Sequence, residues 1–121
     1  MHNFKELKVW QISRKLVKDV YEITSTFPST EKYGLISQIR RCTVSIPTNI
    51  AEGSGRSTDK DFAHFLNISL GSAYELETLL ILSLDVNFIS SEQLENLSTK
   101  ISEIQKMTHG LIKTLRQESY V

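Results

Sequence analysis

Little in this sequence points to covalent chemistry. One cysteine, Cys42, allows no internal disulfide, and a reducing cytoplasm is the compartment expected for such a chain. The longest uninterrupted apolar stretch, Leu79-Leu80-Ile81-Leu82, stops at Ser83, so no membrane span is expected. The opening residues MHNFKELKVW are mixed and charged, unlike a secretory signal, and the sequon matches at Asn67 and Asn96 therefore carry no meaning. Charge of one sign is missing too: 14 basic residues face 14 acidic ones. No nucleophile elbow occurs, and Cys42 has no evident histidine partner. A di-metal bundle site needs paired Glu-x-x-His motifs. The nearest match is Asp61-Phe-Ala-His64, and His109 has Lys106 three residues before it, so His64 reads as a surface or interface residue. Glu75 and Glu77, two apart on a helix, diverge rather than pair. No catalytic residue, metal site or cofactor is expected, and the chain is read as a non-enzyme.

What is present is helical periodicity. With 121 residues and 40% apolar side chains the chain can bury one continuous core, so residues 1–121 are read as one domain. Helix 1 is expected over about residues 3–26, on the stripe Val9, Ile12, Leu16, Val20, Ile23 and Phe27, with Trp10, Val17 and Tyr21 adjoining. Pro28 stops it. Helix 2 is expected from about Thr30 to Glu52, on Leu35, Ile39, Cys42, Ile46 and Ile50. Pro47 lies inside that pattern at a cost of about 3 kcal/mol, since it removes a donor to the Thr43 carbonyl. The phase of Ile50 favours a helix that kinks and continues over one that restarts.

Helix 3 is capped by Ser57 or Thr58 and runs to about Val86 on Phe62, Leu66, Ser69, Ala73, Leu76, Leu80 and Ser83. Phe65, Ile68, Leu70, Leu79 and Leu82 make it apolar on more than one side, as expected of a helix that is central or covered by a second chain. Phe65, Ile68, Gly71 and Ser72 are the candidate oligomer interface. Helix 4 opens with the capping box Ser90-Ser91-Glu92-Gln93 and keeps the 3.5-residue bundle spacing to about Gln117. Short connections make neighbours antiparallel, which gives an all-α, up-down-up-down four-helix bundle.

Charge balances in total but not along the chain. Residues 1–60 hold ten Lys/Arg against six Asp/Glu, and residues 61–121 hold four against eight. Such a split is either chance placement on solvated faces or a basic side opposite an acidic one, which favours head-to-tail association. Arg40, Arg41, Arg56 and Lys60 form the candidate nucleic-acid or anion group, joined in one reading by Lys15 and Lys18. In the other reading, placed ahead, these arginines pair with Glu52, Glu75 or Glu77 or satisfy the Thr43 carbonyl. The turn Gly53–Thr58 is read first as a plain helix connection and second as an anion loop. Asn49 is read as bonding backbone beside Pro47.

The runs Phe27-Pro28, Glu31-Lys-Tyr33-Gly34-Leu35, Gln38-Ile39-Arg40-Arg41 and Val44-Ser-Ile-Pro47-Thr-Asn49-Ile-Ala-Glu52-Gly53 resemble the bacterial four-helix-bundle proteins encoded by intervening sequences in 23S rRNA genes. Leu7-Lys-Val-Trp10 and Gly71-Ser72-Ala-Tyr-Glu75-Leu-Glu77 are similar to the same family, and the similarity spans nearly the whole chain. The resemblance implies an up-down-up-down bundle that assembles as a pentameric ring. It also extends to the accessory proteins of diversity-generating retroelements, which contact a reverse transcriptase and nucleic acid. Those cousins are strongly basic, whereas this chain has a pI near 6.8. Two functions are therefore expected as alternatives: an RNA- or DNA-associated accessory protein, or a protein-only adaptor ring that presents a surface to another polypeptide.

Overall fold

A computed structural model describes residues 2–119 of the chain. Residues 1, 120 and 121 of the expected domain lie outside the described residues. Four helices follow in order: α1 (Lys8–Thr24), α2 (Leu35–Ser54), α3 (Asp59–Asp85) and α4 (Ser91–Ser119). Each packs on its sequence neighbours and α4 closes back on α1, while α1 and α3 are diagonal. This is the all-α, four-helix bundle that the periodicity predicts.

Side chains at the predicted phases form the core. Leu16 and Val20 of α1, Ile46 and Ile50 of α2, Leu66 and Leu76 of α3 and Ile101 and Ile104 of α4 are fully buried. The whole predicted stripe of α3 is buried, Ser69, Ala73 and Ser83 included. α3 is long and apolar enough on average to cross a bilayer, a match that the four-residue run Leu79–Leu82 does not suggest. Its core stripe instead lines the bundle interior. Seven buried hydroxyl residues sit in the interior, and each donates to a backbone carbonyl. Six bond within their own helix; Ser69 alone crosses, to the Ile46 carbonyl at 2.9 Å. Burial without a partner would cost each hydroxyl on the order of 1–3 kcal/mol, so these bonds keep the core tolerable for polar atoms.

Two helix starts differ from the expected ones. Residues Phe4–Glu6 form a 3-10 turn, and Leu7, with ψ of 123°, breaks the chain before α1 begins at Lys8. α2 begins at Leu35 rather than Thr30. Ser29–Glu31 form another 3-10 turn, and Gly34, with ψ of −112°, separates it from the helix. There the Glu31 carboxylate accepts from the Leu35 amide at 3.4 Å. The other signals hold. Thr58 caps α3 through the Asp61 amide at 3.1 Å, and Ser90 and Gln93 exchange the two bonds of the capping box. α3 ends in a Schellman turn, with Asn87 at φ 64° and Phe88 N–H bonded to the Ser83 carbonyl. That turn brings Phe88 onto Phe27, ring centroids 5.2 Å apart, so both connections at this end share one aromatic contact.

Candidate nucleic-acid interface

A trough of about 810 Å³ runs along the outer face of α1, lined by Lys5, Trp10, Gln11, Arg14, Lys15 and Lys18. Helical geometry puts Gln11, Arg14, Lys15 and Lys18 on one side, because steps of three and four return to the same face. The 3-10 turn adds Lys5. Gln11 Nε2 donates to the Lys5 carbonyl at 2.8 Å, which ties that turn to α1, and Phe4 sets its ring against the indole of Trp10 at 5.1 Å. The lining thus holds four cations, one half-buried indole and no carboxylate. Glu22, one helical turn beyond Lys18, lies past its end.

The four expected binding residues do not meet in one patch. Arg40 and Arg41 are consecutive, so they leave α2 about 100° apart. Arg40 turns to α1, where its guanidinium lies 4.4 Å over the Tyr21 ring and Nε donates to Thr24 Oγ1 at 3.0 Å. Arg41 turns the other way, into a polar cleft between α2 and α3 that it shares with Ser37, Ser45, Ser72 and Glu75. Arg56 lies fifteen residues beyond Arg41, roughly 20 Å at helical rise. It pairs with Glu52 at 2.9 Å and stacks on Phe65 at 4.6 Å. Lys60 lines a separate cleft of about 500 Å³ with His64 and Arg116. The arginine–Glu52 pairing is as expected. No described arginine bonds the Thr43 carbonyl, because Arg40 is spent on α1 and Arg41 reaches only Ser37 Oγ at 3.5 Å.

Of the candidate interface residues, Ile68 and Gly71 are exposed, and a side chain added at Gly71 would meet nothing within 4 Å. Phe65 is half-buried beneath Arg56, and Ser72 is half-buried with its hydroxyl 2.9 Å from Ser45 Oγ. Leu82 and Val86 extend the exposed line of Ile68 and Gly71 by helical steps of eleven and four. Five of the eight exposed large hydrophobics among the described residues belong to α3 or its C-terminal cap.

Chemistry is sparse elsewhere. Cys42 is buried, donates to the Ile39 carbonyl, and has its pKa pushed up to about 12, chiefly by burial and then by the Glu75 charge. Its thiolate, the reactive form, is therefore scarce at neutral pH. Among the described residues no group of three or more His, Cys, Asp or Glu could share a metal ion.

A family model for the 23S rRNA-intervening sequence protein matches residues 5–110. The chain belongs to this family. No curated protein matches the sequence. Among solved structures, a protein of unknown function from the S23 ribosomal protein family of Bacteroides thetaiotaomicron VPI-5482 is similar at 29% identity and a TM-score of 0.81; the match covers 87% of this chain and 95% of that one. Neither match names an enzyme activity.

In this member of the 23S rRNA-intervening sequence family, the segment Ser45–Gly53 is explained by contacts within the chain. α2 continues through Pro47. The three carbonyls after Thr43 each take a side-chain donor: Val44 from Thr48, Ser45 from Asn49 and Ile46 from Ser69. Asn49 thus bonds backbone beside the proline, though at Ser45 rather than Thr43. At Gly53 α2 and α3 approach closely. A Cβ there would stand 2.7 Å from Phe65 Cβ and 2.9 Å from Phe62 Cδ1.

The sequence suggested Lys15 and Lys18 as cations and set Trp10 on an apolar stripe. It did not suggest the trough, which depends on the turn that carries Lys5 back beside Trp10. The visible signal was five cations, Lys5, Lys8, Arg14, Lys15 and Lys18, within fourteen residues around the only tryptophan.

Proposed function

We propose that this protein is a non-catalytic accessory bundle that holds RNA on the outer face of α1 and associates with copies of itself through the outer face of α3. The observation that carries the first part is the α1 trough: four cations around an indole, with no carboxylate in the lining. Phosphate attraction needs a local concentration of cations, and a neutral chain supplies it where its charges are segregated. RNA is the nucleic acid favoured because the family name refers to an rRNA intervening sequence. The second part rests on Ile68, Leu82 and Val86, exposed apolar side chains on α3 and its C-terminal cap, and on the open position Gly71. A second copy covers them, in a ring of the kind the family resemblance suggests, and a buried Cys42 suits the reducing cytoplasm.

Titration of labelled RNA at about 50 and 200 mM salt tests the reading. Binding that weakens steeply between the two is expected; no binding at the lower salt removes it. The same α3 line favours a second reading, a protein-only adaptor whose α3 face receives another polypeptide. Light scattering separates the occupants. An oligomer supports self-association, and a monomer at high concentration leaves α3 to a different partner.

A further inference from the structure

Three arginines lie over aromatic rings, and they are not alike. Arg40 over Tyr21, at 4.4 Å, is fixed by bonds to Thr24 Oγ1 and the Tyr21 carbonyl. Arg56 over Phe65, at 4.6 Å, is fixed by Glu52. Arg14 over Trp10 stands off at 5.6 Å, is exposed, and has no hydrogen-bond or carboxylate partner among the described residues. The first two are built into the fold as clamps. The third is a planar cation loosely parked over the largest π face of the molecule, inside the trough, with Lys15 and Lys18 alongside.

Resting on the RNA reading above, we infer that Trp10 and Arg14 form a clamp for one unpaired base, with Lys5, Lys15 and Lys18 taking the flanking phosphates. A base has a π face that stacks on an indole, and stacking of this kind tolerates any sequence. Arg14 can move outward and close on the other side of the base, because no bond holds it where it is. From Gln11 to Lys18 the helix rises about 10 Å, the length of about three nucleotides at ~3.4 Å per stacked phosphate. A duplex offers the cations its phosphates but keeps its bases stacked and out of reach of Trp10. The trough therefore selects unpaired RNA.

The test uses the full chain, in which Trp10 is the only indole, so its fluorescence reports this site alone. A short oligoadenylate should quench that emission to saturation, and a duplex of equal length should bind more weakly and leave it unchanged. Three neutralised phosphates on a single strand give a log–log salt slope near −2.1, roughly a 20-fold loss of affinity from 50 to 200 mM salt. Arg14→Gln, an exposed change that leaves the fold intact, should cut single-strand affinity several-fold and leave the salt slope nearly unchanged, because Arg14 closes on the base and the lysines hold the phosphates. If RNA binds with the same salt slope but neither quenches Trp10 nor distinguishes single strand from duplex, the base clamp is wrong and the RNA reading survives. No binding at the lower salt removes both. Equal quenching by polyglutamate overturns the clamp, because an acidic polypeptide then fills the trough without any base.

Discussion

The α2–α3 seam and the outer face of α1 use similar residues in opposite ways. Along the seam, small side chains admit close approach and polar atoms find partners: Ser69 on the Ile46 carbonyl, Ser45 on Ser72, Arg56 on Glu52. On α1 the long cations Arg14, Lys15 and Lys18 have no such partners among the described residues and surround an indole. An arginine with satisfied bonds contributes to the fold and has little left for a ligand. An arginine without them is available. Neither residue type nor sequence clustering makes that distinction; the third dimension does.

The seam should be the more fragile region by far. Gly53→Leu places atoms where Phe62 and Phe65 already stand, so a loss of about 3 kcal/mol or more is expected in denaturant unfolding, with Gly53→Ala milder. A Gly53→Leu variant as stable as the parent would mean that the helices separate there without penalty.

The arginine contrast is sharper although its energies are smaller. Arg40→Ala removes two hydrogen bonds and a ring contact between α1 and α2, and should cost about 1–2 kcal/mol while leaving RNA affinity intact. Arg14→Ala should change stability by no more than about 0.5 kcal/mol and lower RNA affinity. Reversed outcomes for the pair would exchange their assigned roles.

The outer face of α3 gives a third comparison. Ile68→Glu and Leu82→Glu, both at exposed positions, should reduce the mass seen in light scattering and leave helicity unchanged. An unaltered oligomer would place self-association elsewhere.

At neutral pH Cys42 sets the smallest effect, because its contribution changes only under alkaline conditions. Its folded pKa, about 12, lies above the ordinary 9.0, so the unfolded chain releases this proton first as pH rises. Stability linked to Cys42 is complete below pH 9.0 and is lost progressively toward 12, by at most about 1.4 kcal/mol per pH unit. Relative to the parent, Cys42→Ala should flatten the decline of stability over that window. Parallel curves would show that the thiol ionises equally easily folded and unfolded.

How much of this was legible in the sequence depended on the range of the interaction. The α3 stripe from Phe62 to Ser83 and the Ser90–Gln93 capping box were readable because each is written in residues three or four apart. The starts of α1 and α2 were not, because Leu7 and Gly34 interrupt patterns that run on through them. The candidate group Arg40, Arg41, Arg56 and Lys60 is dispersed for a geometric reason. Arg40 and Arg41 are adjacent in the chain but diverge by about 100° on a helix, and Arg56 lies roughly 20 Å farther along. The α1 trough was half visible: Lys15 and Lys18 stood out, while Lys5 arrives only through the turn at Phe4–Glu6, and Trp10 fitted the apolar stripe too well to suggest a platform.

The most direct measurement compares RNA affinity at low salt among the parent, Lys15→Glu/Lys18→Glu and Arg41→Glu. These substitutions alter exposed residues, so helicity should match throughout. The α1 pair should abolish binding, and Arg41→Glu should leave it within a few-fold of the parent. Full affinity in the α1 pair, with loss confined to Arg41→Glu, would contradict the assignment of RNA to α1.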